Sequence, residues 1–325
     1  MIKIDGEEYP LDHFKRGNSY ILQGKRVKEL PDFLEIDGNL ILKGTYIRVL
    51  PKRLKVSGDL ICDGSKISKI YGTTKVQGNI SLKNTRVKSI PGTLKIKKSL
   101  DLSKSMLEKL PNNFHVPGNL DISDTPINIL PLNLKVGKDF ILSGSKIFEI
   151  VNTLNIGRSL YIDNTGFTEL PDNLHVKGSL HCDNTNLYNI PIGLKVDGNL
   201  YASNTLIKNL HNDFSIKGLI DLSNSKLETL PIDYTFIGDV LLKNTSLKEI
   251  PERTRFNKNL DISYTNLVRL PSRMYVGNNC DMKHTLINKI SKNVIIQGYT
   301  DIRYTKIQAL PKHIKYDQLN DEESF

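Results

Sequence analysis

A β-dominated solenoid is the fold class this sequence predicts, and three observations predict it. Aliphatic residues recur every twenty positions, from Leu30, Leu50, Ile70, Ile90 and Leu110 without a gap to Leu310. A hydroxyl column runs beside them, from Thr45, Ser65 and Thr85 to Thr285 and Thr305. Inside a unit, Phe114, Val116, Leu120 and Ile122 alternate with polar residues, the period-two pattern of extended chain with one buried face. Self-similarity at a short fixed period marks an array in which each unit buries its apolar face only against its neighbours. No segment keeps a helical period long enough to compete.

The elements follow in chain order. Residues 1–29 read as an N-terminal cap and first irregular repeat, keeping Tyr20, Leu22 and Val27 but placing Lys25 in the hydroxyl column. Residues 30–310 are the repeat solenoid, about fifteen units on one elongated domain, since the core of an array grows along one axis. In each unit a glycine such as Gly38, Gly58, Gly78, Gly218 or Gly238 marks a corner or a close approach of another strand. A second corner reads Gly44-Thr45, Asn84-Thr85 or Asn204-Thr205. It pairs a residue that tolerates positive φ with a small hydroxyl able to bond neighbouring backbone groups the turn leaves unpaired. Prolines after the aliphatic column, Pro31, Pro51, Pro91 and Pro111 among them, forbid a helix and favour extended or polyproline-like chain. Residues 311–325 are the C-terminal cap, with Ile314 and Tyr316, and an acidic tail.

Composition narrows the functional classes. Hydrophobic content is 38%, yet it falls almost wholly in fixed columns, where it can be buried efficiently. No apolar run reaches the roughly 18 residues of a membrane span. The opening MIKIDGEEYP has no signal-peptide pattern, so a cytoplasmic location without membrane contact is the expectation. Cys62, Cys182 and Cys280 sit in aliphatic columns far apart in repeat number and read as reduced, inward-packed substitutes. The net charge of +10 admits nucleic acid as a partner without requiring it.

The segments LDISDTPINILP (120–131) and LILKGTYIRVLP (40–51) resemble the LxLxxNxLxxLP pattern of the leucine-rich repeat family, with Thr or Ser at the usual Asn. The unit has the length of the short bacterial type, and similar Thr-containing arrays are common in bacteriophage genomes. The resemblance implies a leucine-rich-repeat-like array with a parallel sheet lining a concave face. The other half of the unit reads LxVxGx, which departs from that type and leaves a closed parallel β-helix as the alternative arrangement. Bacterial effectors with such repeats often carry a catalytic cysteine domain, to which nothing here corresponds.

Four sets of residues are candidates for binding. Tyr161, His181 and Tyr201 fall between the inward pair in successive units, with Asp163, Asp183 and Ser203 two residues on. They form either an amphipathic contact patch or a stack that stabilises the sheet. Asp261, Asp281 and Asp301 repel one another in register unless Lys283 and Arg303, a cation or a basic partner neutralises them. Tyr264, His284 and Tyr304 stand where earlier units carry Gly or Asn. At positive φ each bulky residue costs about 1 kcal/mol or more, as strained functional positions do. A turn relaxed to negative φ would remove that cost. Lys55, Lys75, Lys95, Lys135 and Lys195, with His115 and His175, form a ridge that could follow phosphates or simply discourage edge pairing.

Phosphate loops, HExxH, CxxC and GxSxG are all absent from the sequence. The expected function is therefore a non-enzymatic scaffold, with no cofactor or metal, binding a protein through the concave face and the C-terminal turn edge. A phage factor acting on a host protein fits that expectation. A nucleic-acid backbone binder using the lysine ridge, or a virion structural component, is the alternative.

Overall fold

A computed structural model describes residues 1–150 and 154–316. Each twenty-residue unit forms one coil of a parallel β-solenoid of the leucine-rich-repeat-like kind, in about fifteen turns. One coil shows the logic. Leu40, Leu42, Ile47, Leu50, Leu54 and Val56 all point inward and are at most 2% exposed. Removing each such side chain from water is worth about 1.5–3 kcal/mol, and the next coil offers a matching layer. The residues between them point outward because side chains alternate along extended chain.

The chain divides into two compact units, Met1–Gly166 and Phe167–Phe325, and both are built of this coil. In the first unit the main ladder runs in parallel register from Ser19–Ile21 through Asn39–Ile41 and Leu120–Asp121 to Leu160–Tyr161. In the second it runs from Leu180–His181 through Leu260–Asp261 to Tyr299–Asp301, where Lys315–Tyr316 joins it. A second ladder carries strands such as Lys55–Val56 and Lys135–Val136 in the first unit and Arg255–Phe256 in the second. Single bridges such as Val49↔Lys69 and Asn189↔Asn209 pair a third stretch.

Three corners turn the coil, each by different chemistry. At the first, the threonines of the hydroxyl column close their own turn: Thr45 Oγ1 donates to the Leu42 carbonyl at 2.8 Å, and Thr125 and Thr285 repeat the bond to Ile122 and Met282, whereas the Ser65, Ser105 and Ser145 hydroxyls do not. The residue before it is left-handed throughout, as at Gly44, Asn84 and Asn204. The second corner corrects the reading of the prolines as a purely extended stretch. A tight turn follows them, with left-handed Phe33, Arg53, Asn113, Asn133, Asn173, Asp233 and Arg253. The third corner holds a polar ladder between coils. Asn39 Oδ1 accepts the Asp59 N–H at 2.8 Å, and Asn79 and Ser99 continue it to Ser99 and Asn119. In the second unit Asn199, Asp239, Asn259 and Asn279 do the same. These side chains satisfy backbone donors that no strand pairs.

Asp139 occupies this ladder and also receives a two-pronged contact from the Arg158 guanidinium, which holds its carboxyl below the usual range. A lowered carboxylate pKa stabilises the fold above the unfolded-state value and loses that effect as pH falls through the folded one. Asp139→Asn is therefore expected to lower stability near pH 7 by about 1 kcal/mol, a figure discounted because Arg158 is exposed. The gap to wild type in thermal unfolding should narrow as pH falls below the usual carboxylate range and through the lowered folded-state value of Asp139.

The N-terminal end is built differently. A hairpin of Ile2–Ile4 and Glu7–Tyr9 precedes a 3-10 turn at Leu11–Phe14, and Lys15–Arg16 pairs antiparallel with Ser19–Ile21. Ile2 and Phe14 are buried, so this segment covers the first core layer. At the other end Ile302, Ile307 and Leu310 are only half-buried, while Ile314 is buried. The acidic tail lies outside the described residues. Cys62, Cys182 and Cys280 are buried and in no disulfide, the Cys182 thiol donates to the Tyr201 carbonyl at 3.1 Å, and burial pushes Cys62 and Cys280 far up.

Candidate functional site

The C-terminal turn edge gathers the most distinctive surface. Tyr264, His284 and Tyr304 keep the left-handed turn, with φ of 59°, 54° and 59°. Relaxation to negative φ does not occur. Their rings stack, Tyr264 on His284 at 4.4 Å and His284 on Tyr304 at 4.2 Å, with interplanar angles of 17° and 15°. Lys243, which sequence reading missed, lies over the other face of Tyr264 at 5.3 Å. Tyr304 is 70% exposed and Tyr264 44%. In the coils just before, the same column carries Asn224 and Asn244, whose amides bond each other at 2.8 Å.

Beside this column the acidic residues are occupied. Asp281 takes the Lys283 ammonium at 2.6 Å and Asp301 the Arg303 guanidinium at 2.7 Å. Arg303 holds Asp301 below the usual carboxylate range, and Asp281 raises Lys283. Each aspartate also accepts the backbone N–H two residues on, as do Asp101, Asp121, Asp221 and Asp261 at their own coils. This recurring bond serves an N–H that points away from the ladder, so the column has a structural task in every coil that carries it. Among the described residues no group of three His, Cys, Asp or Glu is arranged to hold a metal ion.

At mid-chain, His181 stacks on Tyr201 at 4.5 Å and 20°, and the Tyr201 hydroxyl accepts a bond from Asn199 at 2.9 Å. Asp183 accepts both the N–H and the hydroxyl of Ser203, at 2.7 and 2.8 Å. In the first unit Tyr161 lies half-buried on its strand, and Asp163 accepts the Ser143 hydroxyl at 3.1 Å. His181 and Tyr201 are half-buried too, so these rings offer less edge than the C-terminal stack.

The basic ridge is exposed on the second ladder. Lys55↔Lys75 and His115↔Lys135 are in register in the first unit, as is His175↔Lys195 in the second. It is partly neutralised: Glu35 engages Lys55, and Asp197 engages His175 at 2.9 Å. A groove of about 740 Å³ lies elsewhere, beside Pro231, Ile232, Asp233 and Glu252. Ser272 already engages Glu252 through both its N–H and its hydroxyl.

With coil and surface described, the likeness to known proteins can be placed. YopM from Yersinia enterocolitica WA-314 is similar with a TM-score of 0.50 and 15% sequence identity, over 94% of this chain and 82% of its own. A structure described as YopM, a leucine-rich effector protein from Yersinia pestis, is similar with a TM-score of 0.45 and 13% identity, over 92% and 88%. A leucine-rich repeat protein from Leptospira interrogans has a TM-score of 0.45 and 14% identity, over 86% and 77%. At these identities the likeness is one of fold. No family model matches the sequence. No curated protein matches it either.

Proposed function

We propose that this protein is a non-enzymatic scaffold that binds a protein partner, with the Tyr264–His284–Tyr304 stack and Lys243 at the centre of the contact. One observation carries the reading: three bulky rings occupy exposed left-handed positions where asparagine serves the coils before them. Each ring costs about 1 kcal/mol or more of backbone strain. Stacking returns about 0.5–1.5 kcal/mol per pair, so stability alone gives little reason for rings here. Exposed tyrosines in a rigid array are the residues protein interfaces use as anchors. Leu286 and Val268, exposed on the same coils, widen the apolar area.

The test uses asparagine because it keeps the turn and removes the ring. The variant Tyr264→Asn/Tyr304→Asn is expected to unfold within about 1 kcal/mol of wild type. In affinity capture from cell extract it should lose the partner that wild type retains. The ridge variant Lys135→Ala/Lys195→Ala should keep it. Equal capture by the asparagine variant would remove the proposal. The in-register lysines support a second reading, nucleic-acid binding, which should weaken by orders of magnitude between low and physiological salt. Capture that survives physiological salt favours the aromatic surface.

A further inference from the structure

The coil at residues 210–216 turns its second corner differently from its neighbours. His211 stands where Pro191, Pro231 and Pro251 stand in the coils on either side. Asp213 does not take the left-handed conformation of Gly193, Asp233 and Arg253. The chain runs directly into the strand Phe214–Ile216. His211 fixes this corner: Nε2 donates to the Ile190 carbonyl at 2.7 Å, and Nδ1 accepts the Asp213 N–H at 3.3 Å. With one nitrogen donating and the other accepting, the ring is neutral.

A groove of about 740 Å³ lies against this corner and reaches across the next two coils. Leu230, Pro231, Ile232 and Pro251 make part of its lining apolar. Leu230 is buried, yet Ile232 is left 67% exposed, in a column that carries Asn212 and Glu252 in the adjoining coils. Covering such a side chain within a concavity removes apolar area from water.

The charge of the groove defines what would cover it. The protein carries a net charge of +10, but here the sign is reversed. Asp233, Glu249 and Glu252 line the groove against a single cation, Arg253. Among the described residues Asp233 and Glu249 enter no ion pair, whereas Asp197 and Glu228 of the same unit hold Lys217 and Lys248. Three coils span about 10 Å, the length of about three extended residues.

We propose that this groove binds a short extended segment of a partner protein, with a lysine or arginine two residues from an aliphatic residue. That spacing puts both side chains on one face of extended chain. The aliphatic group covers Ile232 and Pro251, and the cation meets Asp233 and Glu249. The groove shares no residue with the aromatic stack, so its failure would leave the reading of that stack untouched.

Selection of displayed random octapeptides on the immobilised full chain tests the proposal. Recovered peptides should carry Lys or Arg two residues from Leu, Ile or Val. A fluorescein-labelled peptide of the recovered sequence should bind saturably in an anisotropy titration, and the same peptide with Glu replacing its basic residue should not. Asp233→Asn/Glu249→Gln and Ile232→Ala should each weaken binding roughly tenfold. Both should melt with wild type, because all three side chains are exposed. Tyr264→Asn/Tyr304→Asn should bind the peptide as wild type does. The proposal is overturned if selection recovers no basic peptide, or if binding survives Asp233→Asn/Glu249→Gln undiminished. Self-association of the wild type in sedimentation, lost in Ile232→Ala, would overturn it in favour of a second copy of this chain.

Discussion

Gly238→Ala is expected to destabilise the protein by about 3 kcal/mol, the upper range for overpacking, although Gly238 is not left-handed. A Cβ on Gly238 would lie well inside 3.0 Å of the Gly218 carbonyl and the Leu219 nitrogen. Those atoms are backbone and cannot rotate aside as the end of a long side chain can. Gly218 in turn faces the Gly198 backbone, so a shift that relieved one coil would press on the next. Gly44→Ala is the matching control. Gly44 has φ of +66° but nothing within 4 Å of its missing Cβ. Only the left-handed penalty applies there, about 1 kcal/mol. Urea unfolding of both variants measures the difference. Similar midpoints would contradict the close approach of coils at the Gly238 column.

Phe256→Ala is expected to cost about 3–5 kcal/mol, the range for deleting a buried aromatic side chain. Phe256 is 0% exposed and stacks on Phe236 at 5.1 Å with the rings 4° apart. Phe236 meets Tyr234 edge-on at 4.8 Å, and Tyr234 meets Phe214 at 4.8 Å. The Tyr234 hydroxyl donates to the Phe214 carbonyl at 3.1 Å, and burial pushes its phenol up to about 12. This cluster replaces the valines and leucines that fill the second ladder elsewhere, so its removal opens a cavity no neighbour can close. Phe256→Leu should recover most of the loss. If urea unfolding shows Phe256→Ala within about 1 kcal/mol of wild type, the rings are not packed as described.

The apolar columns were readable because burial imposes them: every position of the Leu30 and Leu42 columns had to be apolar for coils to stack. Polar tasks were harder to read. The ladder of Asn39, Asp59, Asn79 and Ser99 joins coils through side chains of several types, so no single letter repeats. The left-handed turn after the prolines was hidden for a related reason. Asn113 and Asn133 advertise such a turn, but Phe33, Arg53 and Arg253 occupy it too. At the site, the misfit of Tyr264, His284 and Tyr304 with their column was visible in the letters. Lys243 was not, because it reaches the Tyr264 ring from the preceding coil.

Pairing partners in either ladder lie about twenty residues apart, wherever in a unit they fall. The entropy of closing such a loop grows with its length and not with the length of chain already folded. Adding the sixth turn therefore asks no more of the polypeptide than adding the second. During synthesis the first unit can lengthen by accretion as each further stretch leaves the ribosome.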